Sequence, residues 1–209
     1  MRQFDHAFIA GNIENKYDTE NPLIRFFTNR FIAEYRRMLS GIHAGNIHRI
    51  ADIGCAEGAL LLEMRVIFPE CRITACDLSD SELQKAKKRC TGLRIKFMKA
   101  DAMKLEPYTD TSYDLVTCCE VLEHLTDPIA CLRELKRISR GHMLLSVPIE
   151  PLWRILNIAR GTYLNTLGNT PGHVNHWTIA GFKKLLNIHG FAVKKSAYPL
   201  PWQMYLVSE

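Results

Sequence analysis

The sequence predicts an α/β fold: a seven-stranded, mostly parallel sheet with helices on both faces and an antiparallel C-terminal strand. Three observations carry this expectation. From about residue 47 onward, short strand-like runs alternate with helix-length amphipathic segments. The runs are almost continuously apolar, as in strands buried on both faces. The passages between them hold glycine turns and helix-capping residues at the expected places.

Taken in order, Asn21–Leu39 reads as a helix across the sheet edge, and His48–Ile53 as a β-branched strand entering a glycine loop. Ala59–Phe68 is an apolar helix stopped by Pro69. Arg72–Cys76 is the second strand. Ser79 and Glu82 form a capping box for a helix to about Cys90, with Leu83, Ala86 and Cys90 on one face. Arg94–Met98 and Tyr113–Cys119 are the third and fourth strands. Asp127-Pro128 supplies an N-cap and an N1 proline for a helix carrying Ile129, Leu132, Leu135 and Ile138, ended by Gly141. His142–Val147 is the fifth strand. Pro148–Trp177 reads as an irregular insertion. Thr178–His189 is a helix with Ile179, Phe182, Leu185 and Leu186 inward, and Phe191–Ala197 and Gln203–Val207 close the chain as a strand pair.

With 209 residues, one domain is expected, and 47% hydrophobic with 23% charged residues is ordinary globular usage. That usage excludes disordered, collagen-like and coiled-coil chains. A formal charge of +5 reads as a mildly basic solvated surface. The seven cysteines are odd in number and show no CxxC spacing, so neither a disulfide framework nor a zinc site is expected. Reduced thiols imply a cytoplasmic protein. Polar and acidic residues through Met1–Lys16 do not make a signal peptide, and no apolar run is long enough to span a bilayer.

The chemistry centres on Asp52-Ile53-Gly54-Cys55-Ala56-Glu57-Gly58, where the first strand passes into the first helix. Glycine there allows close backbone approach, and the helix start offers free N–H groups. A dinucleotide fingerprint would need glycine at 54, 56 and 59, but 56 and 59 are alanine. Gly54 and Gly58 suit a smaller ligand.

Asp52-x-Gly54-x-x-x-Gly58 resembles motif I of the class I S-adenosylmethionine-dependent methyltransferases, with Ala56 in place of the middle glycine. The resemblance runs over about residues 48–147 and implies a Rossmann-like domain whose cofactor is S-adenosylmethionine. It implies that Asp52, Gly54, Cys55, Ala56 and Gly58 form the loop beneath the cofactor, and that Asp77, beside Leu78, receives both ribose hydroxyls. Lys99-Ala100-Asp101-Ala102 resembles the segment that meets the adenine, through Asp101 and Ala102. Cys119-Glu120-Val121-Leu122-Glu123-His124 resembles the segment after the fourth strand that flanks the sulfonium. Tyr17, in Asn15-Lys16-Tyr17-Asp18, resembles part of a cofactor lid over about residues 12–40, or is a surface tyrosine packed beside the first helix.

The resemblance is to small-molecule enzymes of the ubiquinone O-methyltransferase group. His173-Val174-Asn175-His176-Trp177 ends the insertion of about residues 148–177, and His176 and His173 are candidate acceptor-pocket groups or capping residues of the next helix. His124 joins them as a candidate catalytic histidine. The spacing Glu120-x-x-Glu123-His124 also occurs in ubiquinone-type and small-RNA 2′-O-methyltransferases, where it can hold a divalent ion. Other relatives with these residues bind none, and no metal is assigned here.

No Asp/Asn-Pro-Pro-aromatic follows the fourth strand, no Pro-Cys nucleophile is present, and Cys118 of Thr117-Cys118 falls within a strand. Without a zinc ribbon or basic run, a large nucleic acid is disfavoured as partner. A small or medium acceptor remains, O- or N-methylated, with Trp153, Tyr163, Arg154 and Arg160 suited to an apolar or lipid-linked molecule bearing negative charge. The chain is expected to act as a monomer or homodimer. The rival readings are a catalytically silent scaffold of the same fold and a nicotinamide-dependent oxidoreductase.

Overall fold

The computed structural model describes residues 17–209. Helix α1 (Pro22–Ser40) leads into strand β1 (Arg49–Ile53), α2 (Ala59–Ile67), β2 (Arg72–Asp77), α3 (Asp80–Arg89) and β3 (Ile95–Lys99). Then come β4 (Tyr113–Cys119), α4 (Pro128–Ile138), β5 (Ser139–Pro148), α5 (Leu152–Ala159), α6 (Ile179–Ile188), β6 (Ala192–Ala197) and β7 (Trp202–Ser208). The strands form one sheet in the order β3-β2-β1-β4-β5-β7-β6. β1 pairs in parallel with both β2 and β4, whereas β7 runs antiparallel to β5 and β6. The expected topology is therefore present, and the strand order reverses between β1 and β4, where such sheets open a crevice.

Alternate residues of the central strands serve two apolar layers. Ile50, Leu115, Leu144 and Leu206 join Phe31, Tyr35, Leu61 and Leu83 on the α1–α2–α3 side. Ala51, Val116, Leu145 and Tyr205 join Leu132, Leu135, Phe182 and Leu186 on the α4–α6 side. Burial on both faces explains why the strands lack polar alternation.

Local chemistry sets the helix starts. Asn21 Oδ1 accepts the amides of Leu23 and Ile24 ahead of Pro22, Asp127 Oδ1 accepts Ala130 N–H, and Thr178 Oγ1 accepts Gly181 N–H. At α3 only half of the expected capping box forms. Ser79 Oγ accepts Glu82 N–H, but the Glu82 carboxylate pairs with Lys85, and the Ser79 amide goes to Asp77.

Four other expectations are corrected. α1 lies on a sheet face rather than its edge, because Phe31, Tyr35, Met38 and Leu39 are all apolar and all buried there. α4 ends at Ile138, and Gly141 lies inside β5 at an irregular register against Tyr113 and Leu115. A side chain at Gly141 would stand 3.0 Å from the Asp114 carbonyl, so the glycine serves close strand approach rather than a helix stop. The insertion is not irregular throughout: α5 and a 3-10 turn at Leu164–Thr166 order it. Ile179 is exposed at the first turn of α6, leaving Phe182 and Leu186 as the buried residues. The expected lid falls partly outside the described residues at 12–16; within them, its helical part begins at Pro22. No described helix is long and apolar enough to cross a membrane.

Candidate active site

The loops at the carboxyl ends of β1 to β4 surround one cavity. Its floor is the turn after β1. Gly54 adopts φ +75, and its amide, like that of Cys55, donates to the Cys76 carbonyl at 2.8 Å. A Cβ on Gly54 would come within 2.3 Å of Val121 Cγ2, so the loop after β4 closes directly on this glycine. Ala56 sits at φ +44, the left-handed region that costs a residue with a Cβ about 1–2 kcal/mol. Its amide is tied to Asp77 Oδ2 at 2.9 Å, which holds it there.

Asp77 ends β2 and accepts Ser79 N–H through its other oxygen at 2.9 Å. Burial pushes its carboxyl above the usual range, and the Ser79 and Ala56 amides pull it back. Asp52 is buried in the last turn of β1, where burial pushes its carboxyl up to about 6 despite a hydrogen bond from Thr117. Asp101 accepts Met103 N–H at 2.8 Å in the turn after β3. Glu120 is held at φ +61 after β4, with its amide on the Ser146 carbonyl and its carboxylate accepting from Ser146 Oγ at 3.1 Å. A left-handed residue other than glycine at a strand end is a strained element of the kind that marks functional turns.

Ten of the expected cofactor residues line this cavity: Asp52, Gly54, Cys55, Ala56, Asp77, Leu78, Asp101, Ala102, Glu120 and half-buried Tyr17. The phenol of Tyr17 is pushed up by burial first and by Glu120 next, so it stays a neutral donor. Gly58 does not reach the cavity. It has φ +82, and a side chain there would press on Ala86 and Cys90, so its glycine serves the packing of α2 on α3. Glu57, Glu82 and Pro171 line the cavity unforeseen. Glu57 occupies a variable place in the motif, Glu82 reads locally as a cap, and Pro171 arrives only through the fold of the insertion.

The three histidines part company. His124 lines the cavity, and its Nδ1 lies 3.1 Å from the Gly172 carbonyl. Because a carbonyl can only accept, Nδ1 is the donor in this contact. His173 is buried behind His124, ring centroids 4.8 Å apart, and stacks on Trp153. His176 lies outside the cavity, its Nδ1 3.4 Å from buried Glu150. Neither His173 nor His176 lines this cavity, though His173 stands directly beside His124, which does. Asn175 between them is a positioning residue that sequence reasoning missed. Its side-chain amide donates to the Leu122 and Leu125 carbonyls, while the amides of Val174 and Asn175 donate to that of Glu123.

That clamp brings Glu123, His124 and His173 together with ligand atoms within 4.8 Å of one another, a carboxylate and two imidazoles able to hold a divalent metal. The set differs from Glu120, Glu123 and His124, because Glu120 turns away to Ser146.

A parallel sheet with its glycine turn, the acid ending β2 and the post-β4 loop at the switch point is a Rossmann-like fold shared with solved methyltransferases. Residues 51–145 match the family model described as a methyltransferase domain. Demethylmenaquinone methyltransferase of Staphylococcus aureus is 27% identical over 150 residues, covering 68% of this chain. The match covers 61% of that protein, so the chain spans less than two thirds of the relative's length. Magnesium protoporphyrin IX methyltransferase from Synechocystis, solved with bound S-adenosylhomocysteine, superposes with a TM-score of 0.69 at 17% identity, covering 98% of this chain and 92% of that one. The methyltransferase domain of bacterial CtHen1-C gives 0.64 at 23% identity, covering 87% and 98%. These two likenesses establish the shared fold.

Proposed function

We propose that the chain transfers a methyl group from S-adenosylmethionine to an oxygen or nitrogen of a small or medium-sized acceptor. The observation that carries this reading is electrostatic. Asp52, Glu57, Asp77, Glu82, Asp101 and Glu120 line one cavity, and no lysine or arginine among the described residues does. S-adenosylmethionine carries a sulfonium and an ammonium against one carboxylate, so this wall attracts it. A pyrophosphate would be repelled, which weighs against the oxidoreductase reading.

On this reading Asp77 accepts the ribose hydroxyls, while Leu78, Asp101 and Ala102 meet the adenine. Asp52 and the Gly54–Ala56 backbone take the methionine end, and Glu120 and Tyr17 flank the sulfonium. When bound, the cofactor supplies an electrophilic methyl group. Tyr17, Val121, Leu125 and Pro171 wall the cavity and exclude water. His124, which lines the cavity and is oriented by the Gly172 carbonyl at Nδ1, is the group best placed to take an acceptor proton. The Glu123–His124–His173 cluster favours a second reading, in which a divalent cation beside the cavity holds an acceptor hydroxyl. Unchanged turnover after exhaustive chelation would remove it.

The relative named for demethylmenaquinone supports an apolar, lipid-linked acceptor for this chain too. A cytoplasmic monomer or homodimer without a nucleic-acid partner is part of the same proposal.

The test is a calorimetric titration of wild type and Asp77→Ala with S-adenosylmethionine and S-adenosylhomocysteine. A quinol, catechol and aromatic-amine screen read by S-adenosylhomocysteine release would follow. Saturable binding, weakened about 10–100-fold in the variant, is expected. A folded protein that binds neither ligand would overturn the proposal. Binding with no turnover on any acceptor would favour the scaffold reading.

A further inference from the structure

Tyr17 walls the cofactor cavity, yet the segment that carries it, Tyr17–Asn21, belongs to no helix or strand. Backbone outside regular structure keeps one position only where side chains tie it down. At one end the tie is Asn21. Its Oδ1 accepts the Leu23 and Ile24 amides at the start of α1, and its own amide donates to Thr19 Oγ1 at 3.2 Å. At the other end it is Asp18, whose carboxylate pairs with the guanidinium of Arg89, 71 positions along the chain. Asp18 directly follows Tyr17, about 3.8 Å away between Cα atoms, so fixing one places the other.

Arg89 is a firm anchor. It is the last residue of α3, and its side chain is only 22% exposed, against 55% for Asp18. Gly58 packs α2 against Ala86 and Cys90 on either side of it, with a Cβ there 3.1 Å from Ala86 and 3.3 Å from Cys90. The other end of α3 belongs to the cofactor: Asp77 and Leu78 precede it, and Glu82 in its first turn lines the cavity. One rigid helix therefore meets the cavity at its start and holds the Tyr17 segment at its end. Asp18 and Arg89 themselves border an outer cleft with Glu57, Leu62, Lys85 and Lys88. Glu57 lines that cleft and the cofactor cavity alike, so the pair stands beside the site without entering it.

We propose that Arg89 is a positioning residue for the cofactor: its ion pair with Asp18 latches Tyr17 against bound S-adenosylmethionine, and the cofactor leaves when that pair opens. The inference rests on the proposed methyl transfer for the identity of the ligand, and its test needs no turnover.

The test is the dissociation rate of S-adenosylhomocysteine from the full chain, followed by stopped flow. Arg89→Gln should speed release about 3–5-fold, the range open to a partly exposed ion pair. Arg89→Lys, which keeps the charge, should release more slowly than Arg89→Gln. Added salt should speed release from wild type more than from Arg89→Gln, because only wild type has the pair to screen. In a Tyr17→Ala background Arg89→Gln should have no further effect, which a general loosening of α3 would not produce. Release from Arg89→Gln at the wild-type rate, equal release from the Lys and Gln variants, or the same acceleration with and without Tyr17 would overturn the latch and leave the methyl-transfer reading standing. A folded wild type that holds no S-adenosylhomocysteine would overturn both.

Discussion

The Asp77 carboxylate is bonded to the Ala56 amide at 2.9 Å, joining the end of β2 to the turn after β1. One side chain thus shapes the loop and faces the cavity. Asp77→Asn keeps one acceptor oxygen but loses the charge. It should weaken S-adenosylmethionine about 10-fold or more and destabilise the fold by about 1–2 kcal/mol, because an amide is left without its charged partner. Calorimetry and urea unfolding measure the two effects separately.

Asp52 predicts a pH dependence. Its folded carboxyl is raised to about 6 from an ordinary value of 3.8, chiefly by burial. The native state therefore holds a proton that the unfolded chain releases. The associated stability is fully present below the unfolded value and is lost as pH climbs through the folded one. The loss is on the order of 2–3 kcal/mol between pH about 4 and 7. Asp52→Asn, which can still accept from Thr117, should flatten that part of the stability profile. Parallel slopes for the two proteins would refute it.

Gly54 should not tolerate alanine. The new Cβ meets Val121 Cγ2 at 2.3 Å, on a backbone at φ +75. Gly54→Ala should cost about 2–4 kcal/mol, and adding Val121→Ala should restore only the steric part. Complete rescue by the second substitution would show that the left-handed backbone costs nothing here.

Ala56 offers the reverse case. Ala56→Gly relieves a left-handed alanine at φ +44 while loosening the unfolded chain. The two effects nearly cancel, so stability should change by less than about 1 kcal/mol, with cofactor affinity kept.

Asn175 holds the 173–177 segment on the loop after β4 through the Leu122 and Leu125 carbonyls. Asn175→Ala should cost about 1–3 kcal/mol and lower turnover more than S-adenosylmethionine affinity. A variant with unchanged turnover would separate the clamp from the chemistry.

Much of the fold is legible because it is local. Apolar runs over Ile50–Ile53 and Leu115–Cys119, the N-caps Asn21, Asp127 and Thr178, and Pro69 after α2 each act within a few residues of themselves. The acids Asp52, Asp77, Asp101 and Glu120 are legible for a related reason. In a parallel sheet every strand end faces the same crevice, so position along the chain already gives position in space.

The remaining features depend on contacts between distant segments. Whether Gly58 meets ligand or helix is settled by Ala86 and Cys90, and whether α1 lies on a face or an edge by Phe31 against Trp202. The pairing of His173 with His124 spans two elements, and no periodicity encodes it. The sheet, its glycine turn and its row of acids are written in the chain, because they follow from hydrophobic period and strand polarity. Side-chain partnerships across the cavity belong to packing, where a displacement of a few ångströms separates a residue at the site from one behind it.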